Sequence, residues 1–348
     1  MTFAEVSNYI MIKESIAKLV EGTDLSEAET AACMEDIMSG KATPAQIAAF
    51  LTALKMKGET VDELTGLARV MRSKATPLDI DGVAVDTCGT GGDRKGTFNI
   101  STAVALVVAG AGIKVAKHGN KASSSHTGSA DVLKLLGVNI EANPQAVVRC
   151  VREANIGFIF APLFHSSMKF ASEPRRELGF RTAFNLLGPL TNPVRNSRQL
   201  IGVFSEDLTD TLAHVLRNLG TERALVVHGL DGLDEITTSD RTKITELKGG
   251  DIKGYYIQPE QFGIERSRPE DLTAKNPEES ARAIRDILDG HKGPRRDVVL
   301  LNTAAAIMVS GAVKDMKAGL TLAAKSIDSG CAKDSLQRLI EVSWKDVK

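Results

Sequence analysis

Four clusters of side chains in this 348-residue chain have the types and spacing to do chemistry. The first is Asp86-Thr87-Cys88-Gly89-Thr90-Gly91-Gly92-Asp93, extended by Thr97, Asn99, Ser101 and Thr102. Glycines let a backbone approach a bulky anion and take positive φ. A helix start just beyond them adds N–H groups and a positive dipole end. One Ser or Thr there is accounted for as an N-cap. Four hydroxyl or amide side chains after a glycine loop instead suit phosphate oxygens or magnesium, which takes hard oxygen ligands. The bland alternative is a tight turn between a strand and a helix, and the loop alone barely favours phosphate over it. The second cluster is Lys117-His118-Gly119-Asn120-Lys121-Ala122-Ser123-Ser124-Ser125. Two lysines, a glycine and three serines again suit phosphate, against a solvated basic loop as the alternative. The third is Gly232-Leu233-Asp234-Glu235, an acidic pair that in isolation only caps a helix or faces water, but that beside phosphate seats can hold magnesium. The fourth runs from Arg175 to Thr182 and on to Leu190, where a planar guanidinium could take a carboxylate.

These clusters need elements to position them. The chain opens on helices. Ser26 with Glu29, and Thr60 with Glu63, read as capping boxes, and Thr43-Pro44 reads as an N-cap with proline at the first helical position. After Thr76-Pro77 the pattern alternates. Strands are expected at Val83–Val85, Ile113–Ala116 and Gly157–Ala161, with helices at Asn99–Ala109, Gly128–Leu136 and Pro144–Glu153. Residues 162–187 read as helical again. Strands Leu200–Phe204 and Ala224–His228 follow around a helix at Leu208–Leu219, then an edge hairpin from Thr242–Leu247 and Lys253–Ile257, and helices to the end. Alternation of this kind gives an α/β fold with a mostly parallel central sheet, preceded by a small helical domain. The first cluster then follows the first strand. The second follows the next strand, at the end where open α/β sheets place ligands. The division expected is a helical domain over 1–75, completed by helices from about 165–188, and an α/β domain over 76–164 and 189–348, with a cleft between the lobes.

Composition excludes several classes. With 43% hydrophobic and 25% charged residues and a net charge of −1, no global basic field recruits nucleic acid. No apolar run spans a bilayer and no secretory leader is evident. Cys33, Cys88, Cys150 and Cys331 are scattered, with neither metal-ligand nor disulfide spacing, which fits a cytoplasmic enzyme. Walker, GxGxxG and GxSxG motifs are absent. What remains is transfer of a phosphorylated group by positioning and electrostatics.

The combination of residues 86–93, Lys117-His118-Gly119-Asn120, Gly128-Ser129-Ala130-Asp131 and Arg175 to Asn192 resembles the anthranilate phosphoribosyltransferases over essentially the whole chain. The resemblance implies a nucleoside-phosphorylase-type fold and a homodimer joined through the helical domain. The reaction it implies belongs to tryptophan synthesis: the amine of anthranilate displaces pyrophosphate from C1 of phosphoribosyl pyrophosphate, with magnesium bound. It further implies that Gly89, Gly92, Asp93, Thr97, Asn99, Ile100, Ser101 and Thr102 bind phosphoribosyl pyrophosphate. Lys117, His118, Gly119, Asn120, Lys121, Ala122, Ser123, Ser124, Ser125 and Ser129 would complete that site. Ser101, Asp234 and Glu235 would serve magnesium, and Gly89, Asn120, His165 and Arg175 anthranilate. No residue is implied as a covalent nucleophile; Arg175 and Lys117 position the reactants. Three positions depart from the family pattern: Lys121 stands for Arg, His126 for Lys and Ser166 for Pro. The alternatives are a pyrimidine-nucleoside phosphorylase of the same fold, which the Gly-Thr-Gly-Gly-Asp loop and the Arg175 region oppose, and a nucleic-acid-binding relative, which the neutral charge opposes.

Overall fold

The computed structural model describes residues 3–121, 127–194 and 197–345, without the side chains of 3–10 and 197. Ala122, Ser123, Ser124 and Ser125, expected at the phosphate site, and the departure His126 lie outside the described residues. The chain forms two compact units: Met1–Pro77 with Phe164–Pro193 and His214–Gly220, and Leu78–Leu163 with Val194–Ala213 and Thr221–Lys348. No helix among the described residues is long and apolar enough to cross a membrane.

The first unit is helical. Its leading helices are Phe3–Val20, Glu27–Met38, Pro44–Lys57 and Val61–Lys74. The last three start at reciprocal capping boxes formed by Ser26 and Glu29, Thr43 and Gln46, and Thr60 and Glu63. These boxes satisfy the first amides of each helix locally. Glu63 has a second task. Fully buried, it accepts from Leu25 N at 3.0 Å and pairs with Lys57 Nζ at 3.0 Å, tying successive helices together. The later helices Lys169–Leu178 and Phe184–Leu190 belong to the same unit, and Arg72 Nε donates to Leu190 O across 2.6 Å.

The second unit is built on seven strands: β1 (Ala84–Gly89), β2 (Val115–Gly119), β3 (Ile156–Phe160), β4 (Ser197–Gly202), β5 (Arg223–Gly229), β6 (Thr242–Lys248) and β7 (Asp251–Ile257). Their order is β3-β2-β1-β4-β5-β6-β7. The first five are parallel, and β6 and β7 run antiparallel at one edge. Gly249 and Gly250, both left-handed at φ 58° and 93°, make the two-residue hairpin turn between β6 and β7. The helix after β1, Ile100–Gly110, is almost wholly buried and packs against helices Pro294–Ser310 and Cys331–Ser343.

Two strands run further than hydrophobic alternation suggests. β1 continues through Asp86 and Thr87 to Gly89, and β2 through Lys117 and His118 to Gly119, where Val83–Val85 and Ile113–Ala116 were expected to end them. The four polar residues are buried in the strands themselves, so a reading that looks for apolar runs stops short of them. β4 is likewise displaced toward the N-terminus, at Ser197–Gly202 rather than Leu200–Phe204. The chain leaves β1 toward β2 and β3, then returns to the other side of β1 for β4 and β5. The C-terminal ends of β1 and β4 therefore flank the switch point of the sheet, where such folds open a crevice.

Candidate active site

A cavity of about 230 Å³ opens at that switch point. Its first wall is the loop after β1. Four of the six residues from Gly91 to Gly96 are left-handed: Gly91, Gly92, Arg94 and Gly96, at φ 65°, 79°, 59° and 64°. A backbone curled this way turns successive amides toward one side and makes an anion-binding concavity. The downstream arm of the loop is tied down by two bonds, Phe98 N to Leu272 O at 2.9 Å and Ala274 N to Gly96 O at 2.8 Å. Arg295 in turn holds Thr273 O at 2.7 Å. Asn99 then caps the buried helix by accepting from Thr102 N at 3.0 Å. Ser101, in the first turn of that helix, lines the cavity.

The second wall is β2. Lys117 is 1% exposed, and its Nζ donates to Thr87 O at 2.7 Å and to Ser101 Oγ at 3.1 Å. Burial holds its pKa below the usual lysine value, opposed by the charge of Asp86. Asp86 itself accepts from His118 N at 3.1 Å. The ammonium is thus built into the β1–β2 seam and reaches the cavity through Ser101; it is not a lysine on a loop, as the sequence reading placed it. Gly119 ends β2 beneath Ser129, whose Oγ would lie 2.2 Å from an added Cβ. Beyond it, Asn120 O accepts from Ala130 N at 3.2 Å and from Ser129 Oγ at 3.4 Å.

The third wall is the acidic pair. Asp234 Oδ2 accepts from Gly91 N at 2.7 Å, so the pair is fastened to the glycine loop. Two glycines make room for it. A Cβ on Gly89 would sit 2.5 Å from Asp234 Oδ2, and one on Gly202 would sit 1.5 Å from Asp234 O. The Asp234 carboxyl is pushed well above the usual carboxylate range, first by burial and then by Asp93 and Glu235. Glu235, 8% exposed, is pushed up to about 8 by burial. Lys117 and the Ser101 amide work against that rise, and Asp93 adds to it. Asp93 Oδ2 is buried and accepts no hydrogen bond from an amide or hydroxyl of the described residues, and the Asp93 carboxyl meets that of Asp234.

The carboxyls of Asp234 and Glu235, with too little positive charge about them, and the Ser101 hydroxyl are hard oxygen donors of the kind magnesium takes. Among the described residues no three His, Cys, Asp or Glu side chains converge into a ready-made cation cage. That also suits magnesium, which binds through one or two carboxylates and completes its shell with substrate phosphates and water.

Of the residues singled out in the sequence, the structure brings Gly89, Asp93, Thr97, Asn99, Ile100, Ser101, Lys117, His118, Gly119, Asn120, Lys121, Ser129, Asp234 and Glu235 around this one cavity. Gly92 and Thr102 do not line it. Thr102 is fully buried behind Asn99 and contributes its capped amide. Arg175 and His165 belong to the helical unit. The Arg175 guanidinium lies 4.8 Å from the centre of the Phe184 ring. His165 is 5% exposed, and burial lowers its pKa to about 4, so it is neutral at physiological pH. Gly202 was not recognised from the sequence, although a glycine within a strand marks a close approach of backbone.

The chain matches two glycosyl transferase families, the helical bundle domain over residues 13–75 and the a/b domain over residues 81–333. It is 54% identical over 333 residues to an anthranilate phosphoribosyltransferase of Acetivibrio thermocellus, covering 95% of this chain and 96% of that one. Among solved structures, anthranilate phosphoribosyltransferase from Thermus thermophilus superposes with a TM-score of 0.89 at 40% identity, covering 94% of this chain and 99% of that one. The Saccharomyces cerevisiae enzyme, solved in complex with phosphoribosyl pyrophosphate and magnesium, gives a TM-score of 0.87 at 29% identity over 95% and 97% of the two chains.

Proposed function

We propose a function from one premise, that this chain belongs to the anthranilate phosphoribosyltransferases of the glycosyl transferase family. It is an enzyme. It transfers the phosphoribosyl group of phosphoribosyl pyrophosphate to the amine of anthranilate, giving N-(5-phosphoribosyl)anthranilate and pyrophosphate in tryptophan biosynthesis. Within the molecule, the observation that carries this reading is the cavity at the β1–β4 switch point, where a curled glycine loop, a capped helix start and an acidic pair meet.

Each wall has a task in that reaction. The amides of residues 90–97 and the start of helix Ile100–Gly110 hold phosphate oxygens. Asn99, Ser101, Asn120 and Ser129 add hydrogen bonds that fix the sugar phosphate in one pose, with Gly89 leaving room at the reacting carbon. Asp234, Glu235 and Ser101 hold magnesium, with Asp93 beside them. The metal, when bound, supplies positive charge to the departing pyrophosphate. Lys117 keeps Ser101 in place and adds its own buried charge on the leaving-group side. On the resemblance, Arg175 takes the anthranilate carboxylate, and His165, Asn120 and Gly89 complete the seat of the aromatic acid. The neutral amine is already nucleophilic. Its lone pair forms the C1–N bond as the C1–O bond breaks, the electron pair leaves with pyrophosphate, and one N–H proton is released. No covalent intermediate with the protein is needed, so positioning carries the rate. A homodimer joined through the helical unit and a cytoplasmic setting complete the proposal; both rest on the resemblance.

The test is an assay of purified protein by anthranilate fluorescence. The signal falls only when phosphoribosyl pyrophosphate and magnesium are both present. A well-folded preparation that leaves anthranilate unconsumed overturns the reading.

A further inference from the structure

The carboxylates of Asp234 and Glu235 are held by backbone, and one side chain reaches that backbone from another element. Asn302 lies in the middle of helix Pro294–Ser310, fully buried between the apolar run Val298–Leu301 and Thr303. Its Oδ1 accepts from Ile236 N at 2.9 Å, and its Nδ2 donates to Ile236 O at 2.7 Å and to Val298 O at 2.9 Å. Both amide hydrogens and the carbonyl are therefore used. Two of the three bonds close on both backbone groups of the single residue that follows Glu235.

The rest of the segment is stapled by its own loop. Gly229 N donates to Leu233 O at 2.9 Å, Thr237 Oγ1 to Asp231 Oδ2 at 2.8 Å, and Thr237 N to Thr242 Oγ1 at 3.1 Å. These bonds shape the turn without reference to the helix layer. The backbone of residues 234–236 is fixed within the domain at two places. One is the contact of Asp234 O with Gly202, where no side chain fits; the other is the Asn302 carboxamide. An asparagine in this position is costly for a helix interior, and a buried amide is tolerated only when fully bonded. Leu or Ala would suit the surrounding apolar packing better if packing were the only demand. Magnesium requires near-octahedral oxygens at fixed distance, so small rotations of the 234–236 backbone are felt directly in its affinity.

We propose that Asn302 is a positioning residue for the Asp234–Glu235 pair and that its clamp on Ile236 sets how tightly the site takes a divalent cation. This rests on the assignment of the acidic pair to magnesium made above.

The experiment measures Mn2+ binding by electron paramagnetic resonance in the presence of phosphoribosyl pyrophosphate, at a temperature where every variant is folded. Asn302→Ala is compared with Ser326→Ala and with Asp234→Asn. Ser326 is a buried hydroxyl that donates to Val107 O at 2.8 Å, remote in sequence from the carboxylates, and controls for loss of a core hydrogen bond. Asn302→Ala is expected to weaken Mn2+ roughly tenfold, as loss of a ligand-supporting group does; Ser326→Ala leaves it unchanged. If Asn302→Ala does not fold, Asn302→Asp is read the same way. It keeps the shape and the acceptor for Ile236 N but turns both donor bonds into contacts between oxygens. Mn2+ affinity equal to the unsubstituted protein, or an equal loss in Ser326→Ala, overturns the proposal. Asp234→Asn separates the two layers. If it too leaves Mn2+ binding unchanged, the magnesium assignment itself fails; if it weakens binding while Asn302→Ala does not, only the clamp fails.

Discussion

Lys117 and Glu235 are buried charges on opposite sides of the same loop, and the protein treats them in opposite ways. The ammonium of Lys117 meets Thr87 O and Ser101 Oγ within the charge of Asp86. Burial still lowers the Lys117 pKa, but its hydrogen bonds on the β1–β2 side are made within the fold. On the β1–β4 side Asp93, Asp234 and Glu235 crowd together, and the carboxyls of Asp234 and Glu235 are raised, first by burial and then by neighbouring carboxyls. A seam whose lysine is hydrogen-bonded within the fold holds shape. A seam short of positive charge is arranged for something that brings it, and a magnesium ion does so.

The sharpest way to break this contrast is Lys117→Met. If the ammonium belongs to the fold, its loss leaves Asp86 buried without that charge and Thr87 O without its donor. Unfolding should become easier by about 3–5 kcal/mol, as when one partner of a buried charge pair is removed, measured by chemical denaturation without substrate. A variant of normal stability that has lost only its affinity for phosphoribosyl pyrophosphate would show instead that the lysine serves the ligand alone, and the two sides would then be alike.

Asp234→Asn tests the other side and should split stability from function. The amide oxygen can still accept from Gly91 N, while one negative charge leaves the crowd. Turnover with magnesium should drop by about 10²-fold or more, the scale of losing one preorganised electrostatic group. Metal-free stability should stay level or rise. A clear loss of stability in chelator would mean that the carboxylate is structural, as Lys117 is.

The same contrast explains what could be read from the sequence. The capping boxes at Ser26 and Thr60 and the N-cap at Thr43 are local, so residue type and spacing revealed them; the Gln46 half of the box at Thr43 was not read. The glycine loop and the acidic pair were visible as types, since glycine and paired carboxylates have few common uses. Their meeting was not, because Gly91 and Asp234 are joined only once β1 and β4 lie side by side. Lys117 was misplaced onto a loop because a charged residue in a buried strand contradicts the apolar pattern by which strands are found. Gly202 and Asn302 act on backbone that is distant in sequence, and neither leaves a periodic trace.

The last effect is the most specific to the carboxylate side. Glu235 has a pKa of about 8 in the folded protein without metal, against 4.5 for an ordinary glutamate. Between those values the folded state holds a proton that the unfolded state has released. Stability from this group is therefore fully present below about pH 4.5, falls as pH rises, and levels off above about 8. The slope from one such proton is at most about 1.4 kcal/mol per pH unit, and Asp234, also raised, bends the curve the same way. In chelator, the unfolding midpoint should decline from pH 5 toward pH 8, more steeply in the unsubstituted protein than in Glu235→Gln, whose neutral amide has nothing to titrate. The difference between the two slopes reports Glu235 together with its coupling to Asp234. Magnesium with phosphoribosyl pyrophosphate should remove that difference, because the bound cation favours the ionised carboxylate and expels the proton on binding. Parallel slopes in chelator would mean that Glu235 is already ionised and adequately paired, and the asymmetry between the two sides of the loop would be lost.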